Sequence, residues 1–205
     1  MKLHVEKRVL LGFLVTALVL AILGVFSFTS TQRLINTARL LSHATRVINN
    51  AEQVVKAIVD IETGQRGFVI TGKDEFLEPY YESLKRLDVY VNTLDSLTGQ
   101  NGSQKTKVAE LRTLIHQQLS RTTGVIQARK ENFEKARDMV AGGEGKRTTD
   151  AIRNIVNNIQ NEEREIFRKG NTISRESLEQ FQYSFIGLAI AITVIVVYLF
   201  YSINK

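Results

Sequence analysis

No cysteine occurs in the 205 residues. That absence removes disulfides, thiolate catalysis and cysteine-ligated metals together. Tryptophan is also absent, and proline occurs once, at Pro79. A chain with one proline and few alternating apolar–polar runs has little to interrupt helices, so an all-α fold is expected. The basic excess is modest, at +6. About half of it lies in the terminal tails, where Lys2, Lys7, Arg8 and Lys205 stand against Glu6. Elsewhere the two signs are interspersed, which excludes the one-sided basic face that a nucleic-acid partner needs.

Two stretches lack charge altogether. Val9 to Phe28 and Tyr183 to Ile203 contain no Asp, Glu, Lys or Arg. Each is about 20 residues, enough for a helix to cross a hydrocarbon core of about 30 Å. The first exceeds the h-region of a signal peptide, and Ser27-Phe28-Thr29-Ser30 is a poor cleavage site. Tyr183, Tyr198 and Tyr201 stand at the ends of the second, where aromatic rings favour a membrane interface. The expected organisation is a cytoplasmic tail over 1–8, a transmembrane helix over 9–29, and an extracytoplasmic domain over 30–182. A second transmembrane helix over 183–203 and a cytoplasmic end at 204–205 complete it. The flanking charge bias is weak, but long loops translocate largely regardless of charge. Both termini are therefore placed in the cytoplasm of an inner-membrane protein, with the central domain periplasmic or extracellular.

The central region reads as four helices. In the first, Leu34, Leu41, Ile48 and Val55 recur every seven residues, beside a row of Val47, Val54 and Ile61 and a row of Ala44, Ala51 and Ile58. Such a stripe buries against neighbouring helices. Gly72 is expected as a left-handed cap, and Asp74 as the cap of the next helix, with Pro79 near its first turn. The second helix carries Leu77, Tyr80, Leu84, Leu87, Val91 and Leu94 and ends at the Gly99–Gly102 turn. A third is expected from about Gln104 to Val140, stopped by Gly142-Gly143-Glu144-Gly145. Thr148 or Thr149 then caps a fourth, with Ile152, Ile155, Ile159, Ile166 and Ile173 on its face. An even number of helices returns the chain to the side where it entered, so the fold class is an extracytoplasmic antiparallel four-helix bundle flanked by two transmembrane helices.

At the end of the first helix stands Asp60-Ile61-Glu62-Thr63-Gly64-Gln65-Arg66-Gly67-Phe68-Val69-Ile70-Thr71-Gly72, followed by Glu75-Phe76-Leu77-Glu78-Pro79-Tyr80. Glu62 and Arg66 are four apart, acid first, the favourable helix-pair order. Gly64 and Gly67 bare one face for close backbone approach, and Thr71-Gly72 ends the helix. These residues have three readings: a helix end at the top of a bundle, or a small-molecule or anion site built on Arg66 and Thr63. A dimer contact is the third. The helix register sets Arg66 level with about residue 146, so its expected partners are Glu62, Asp74, Glu75, Glu144 or Asp150, and not Glu163.

The block resembles the signature of the third class of CHASE domains, extracellular sensory domains of bacterial receptors. The matching positions are Glu62, Thr63, Arg66, Gly67, Phe68, Thr71, Gly72, Leu77, Pro79 and Tyr80, and the likeness covers about residues 35–175. Gly143 to Lys146 and Glu162-Glu163 also look family-like. The resemblance implies a helical bundle between two membrane spans that feeds a histidine kinase, cyclase or chemotaxis-type module. No HAMP linker or kinase domain follows the second span here, so sensing without catalysis is expected.

Other signals carry less. His4, His43 and His116 share no metal spacing. Glu162, Glu163 and Glu165 beside Arg164 and Arg168 read as a solvated helix face. No cofactor is expected. The function expected is a membrane-anchored, non-catalytic sensory module for signal transduction. Its ligand or signal motif comprises Glu62, Thr63, Gly64, Arg66, Gly67, Thr71, Gly72, Pro79 and Tyr80. Its partners are the lipid bilayer, a second copy of the chain, a kinase and an unidentified small molecule. The alternatives are the sensor portion of a longer histidine kinase or chemoreceptor, and a scaffold subunit of another receptor.

Overall fold

The computed structural model describes residues 2–99 and 101–203, with side-chain placement outside the description at 2–9, 11, 173–177, 180, 181, 199, 202 and 203. The expected end at 204–205 and the Ile173 contact therefore lie outside the described residues. The described chain is helical almost throughout. Helix α1 is Lys2–Thr71, followed by a 3-10 turn over Asp74–Leu77. Helices α2 (Glu78–Thr98), α3 (Gly102–Glu131), α4 (Phe133–Ala141) and α5 (Glu144–Ile203) complete it. The chain divides into two compact units. One is Ser42–Phe167, and the other joins the stretches before Ser42 and after Phe167.

In the Ser42–Phe167 unit one apolar core draws on four helices. Val47, Val54 and Ile61, with Ala44, Ala51 and Ile58, are fully buried on α1. Ile48 and Val55, from the row that begins at Leu34, are half-buried at its margin. Leu87, Val91 and Leu94 of α2, Val108 and Leu111 of α3, and Ile152 and Ile159 of α5 fill the same core. Each such side chain contributes about 1.5–3 kcal/mol on burial. Side-chain bonds fix the directions. Thr149 and Gln160 of α5 meet Glu62 and Ile48 of α1, so these two helices run antiparallel. Tyr80 meets Thr123 and Asp95 meets Arg112, so α2 and α3 also run antiparallel.

The third helix is shorter than expected. It stops at Asn132, which is extended (φ −154°, ψ 122°), and the chain reverses there rather than at Gly142. Asn132 donates its backbone N–H to Ala128 O and accepts from Lys135 N at 3.1 Å. One residue thus closes α3 and opens α4, which folds back along α3 and buries Ala136 against Val69, Val125 and Ala128. Gly142 and Gly143 then separate α4 from α5, with Gly143 left-handed at φ 71°. Two capping expectations also fail. Asp74 begins the 3-10 turn and makes no side-chain cap, while Pro79 sits in the first turn of α2. Thr148 and Thr149 lie inside α5, not before it, because the Gly143 turn lets that helix start at Glu144.

Among its described residues the other unit exposes long apolar stretches. Within α1 the span Gly12–Thr71 includes a stretch long and apolar enough to cross a membrane. Phe13 and Val25 there are 71% and 67% exposed. On α5 the apolar run is Gln182–Tyr198, shorter than that length among the described residues. At Gly170 a Cβ would come within 3.0 Å of Leu41, so the two helices approach closely there.

Candidate functional site

The end of α1 owes its form to its small residues. A Cβ at Gly64 would stand 2.9 Å from Phe76 O and 3.2 Å from Tyr80 N. One at Gly67 would stand 2.7 Å from the Phe76 ring. The bared face therefore receives the 3-10 turn and the start of α2, as the spacing predicts. Thr71 Oγ1 donates to Gly67 O at 2.8 Å, and Gly72 takes φ 72° with its N–H on Phe68 O. Arg129 of α3 donates to Val69 O at 2.7 Å, satisfying a carbonyl that the ending helix leaves free. The same guanidinium stacks on Phe133, 5.1 Å from the ring centroid.

Arg66 Nη2 pairs with Glu62 at 2.5 Å, one of the expected partners. Glu62 also accepts from Thr149 Oγ1 at 2.9 Å. This bond sets residue 62 level with 149, and hence Arg66 level with about 145–146, as the register predicts. Glu163 lies elsewhere, bonded to Gln104. Thr63 faces solvent and is not among the residues that line the cavity beside Arg66. Tyr80 is buried, with its hydroxyl 3.4 Å from Thr123 Oγ1 and its ring edge-on to Tyr81. Pro79, Gly64, Gly67, Thr71 and Gly72 shape the backbone here, and only Glu62 and Arg66 of the named set reach the cavity described next.

That cavity, of about 20 Å3, lies under α4, between the end of α1, α3 and the start of α5. Its lining includes Glu62, Gln65, Arg66, Gln118, Arg121 and Thr122. Gln65 and Gln118 are buried, and Gln65 Nε2 and Gln118 Oε1 have no hydrogen-bond partner among the described residues. Arg121 donates to Met139 O at 3.0 Å and pairs with Glu144. Lys146, also on the lining, bonds Asp150 at 2.7 Å and holds that carboxyl below the usual carboxylate range. Gln118, Arg121 and Thr122 carry no motif, and Gln65 lies in the Glu62–Gly72 block without being one of its matching positions. Only polar residues on the inward faces of their helices could have marked them.

A second polar cluster corrects the solvated-face reading. Glu163 is 2% exposed and accepts from Gln104 Nε2 at 2.6 Å, while its Oε2 has no partner among the described residues. Glu162 pairs with Lys107. Helix α5 turns these two carboxylates toward the first turns of α3, and sequence alone does not reveal that neighbour. Among the described residues no group of three His, Cys, Asp or Glu side chains is placed to hold a metal.

The family model of the CHASE3 domain matches residues 37–172. No curated protein matches the chain. Among solved structures, the Rhodopseudomonas palustris histidine kinase HK9 sensor domain superimposes with a TM-score of 0.57 at 20% identity, over 61% of this chain and 98% of that one. At that identity the likeness concerns the fold. With the Glu62–Gly72 block, the all-helical core and a family match over most of its length, the chain belongs to the CHASE3 family.

Proposed function

We propose that the chain is the sensory module of a membrane receptor, without chemistry of its own, that passes a signal to a kinase-type output. In this reading Ser42–Phe167 forms an extracytoplasmic antiparallel four-helix bundle. Two transmembrane helices flank it and both termini are cytoplasmic. The observation that carries it is continuity. Helix α1 runs unbroken from the exposed apolar stretch near Phe13 to the Glu62–Thr71 block, and α5 runs from Glu144 into the apolar run Gln182–Tyr198. A change in packing around Arg66 then reaches the spans as a shift, tilt or rotation along these two helices. The CHASE3 match and the sensor domain of a histidine kinase as structural neighbour support the same role. A second copy of the chain gives each span something to move against.

The absence of cysteine makes the test direct. Ser103→Cys in the first turn of α3 is expected to react with a membrane-impermeant maleimide in intact cells, and Lys205→Cys only after lysis. A chain recovered in the soluble fraction, or Lys205→Cys labelled as fast as Ser103→Cys, overturns the topology.

A further inference from the structure

Past its apolar run, α1 stays free of acid. No Asp or Glu stands between Glu6 and Glu52, while Arg33 and Arg39 follow within 11 residues of Phe28. A solvated helix gains from a carboxylate three or four residues from each cation, as Glu62 stands to Arg66 and Asp150 to Lys146. No carboxylate stands at those distances, on either side, from Arg33 or Arg39. Both are exposed, and neither pairs with an acid among the described residues. On the other arm of the same unit, Arg168, Lys169 and Arg175 stand against Glu176 and Glu179. The stretches 29–41 and 168–182 together thus carry five basic and two acidic residues, a net +3.

Helix geometry sets the reach of these cations. Arg33 lies five residues beyond Phe28 and Arg39 eleven, or about 7.5 Å and about 16 Å along the axis. The polar layer on each side of a hydrocarbon core is about 5–7 Å deep. Helical side chains lean toward the N-terminus of their helix, which on α1 is the direction of the apolar run. Arg33 therefore reaches headgroups directly, and Arg39 comes within about one Debye length of them, about 8–10 Å at ordinary salt. We propose that Arg33 and Arg39 hold anionic phospholipid headgroups around the point where α1 leaves the bilayer, Arg33 by paired hydrogen bonds to a phosphate and Arg39 through its field. The occupant is a lipid and not a soluble anion, because the exposed apolar Val25 and Phe28 adjoin the cations and are covered by acyl chains. The proposal rests on the membrane reading and adds a regulator to it. Anionic lipid braces α1 close to where it meets α5 at Gly170, so the lipid composition biases how these two helices pack.

Because the chain has no cysteine, one fluorophore on Thr31→Cys reports this end of the apolar run alone, apart from the cations of the N-terminal tail. The full chain is reconstituted in vesicles of phosphatidylcholine and phosphatidylglycerol at one fixed ratio. Bromine near the carbonyl end of the acyl chains is carried either by the phosphatidylglycerol or by an equal number of phosphatidylcholine molecules. Brominated phosphatidylglycerol is expected to quench at least about twofold more strongly, and high salt is expected to shrink the difference. Arg33→Gln combined with Arg39→Gln is expected to make the two quenchers equal. Arg46→Gln, 18 residues past Phe28, is expected to leave the preference unchanged. Equal quenching before any arginine is replaced overturns the proposal. So does a preference that survives the double substitution, which would belong to the cations of α5. A preference lost as fully in Arg46→Gln would reduce the effect to net charge and overturns it too. The maleimide assay involves no lipid preference, so a correctly inserted chain with equal quenching defeats this site alone. A chain recovered in the soluble fraction defeats the membrane reading beneath it.

Discussion

A buried carboxylate shows how far one side chain's worth depends on its neighbour. Glu163 sits in the core with one hydrogen bond, from Gln104, and one oxygen unpaired among the described residues. Removing the donor leaves a desolvated carboxylate uncompensated, so Gln104→Leu is expected to destabilise the chain by about 2–3 kcal/mol. Glu163→Gln keeps an acceptor for Gln104 while removing the buried charge, and is expected to be neutral or stabilising. Urea denaturation of the detergent-solubilised chain compares the two. Equal losses from both would mean that the charge itself holds the core. The glycines at this scale divide by what surrounds them. Gly64 and Gly67 were legible as a pair spaced to bare a face, while the partner that fills the face, Phe76, was not.

At the scale of elements, α4 is the feature that periodicity does not disclose. Val125, Phe133, Ala136 and Val140 can be read as the face of one long helix, and neither glycine nor proline interrupts them between Gly124 and Gly142. The break at Asn132 is instead a capping event, since an asparagine side chain can hold the N-terminus of a new helix in place of the ladder it ends. Asn132→Ala removes the bond to Lys135 N and is expected to cost about 1 kcal/mol. Amides of Phe133–Ala141 should then exchange faster than those of α3. Unchanged protection of α4 would show that Ala136 and its apolar neighbours suffice to dock it. The α1 stripe, by contrast, was legible from spacing, because seven-residue recurrence in a helix leaves only one side to bury.

For the molecule as a whole, two helices pass from one compact unit to the other without interruption. A rigid helix transmits rotation in fixed phase, so one alanine inserted between Leu41 and Ser42 turns the preceding segment by about 100° relative to the bundle face. In a chimaera with a histidine kinase joined after Lys205, that insertion is expected to lock output on or off. A four-residue insertion, which restores the face to within about 40°, is expected to restore most of the response. Normal regulation in both would rule out helix phase as the carrier. Composition and periodicity alone determined the helical class, the two charge-free runs, the buried rows of α1 and the Glu62–Arg66 pair, because each follows from contacts within a few turns of one helix. The tertiary structure decided where the chain reverses, that Glu163 is buried, and that Gln65, Gln118 and Arg121 meet across one cavity. Those facts depend on which faces pack together between residues far apart in sequence, and no local pattern encodes that choice.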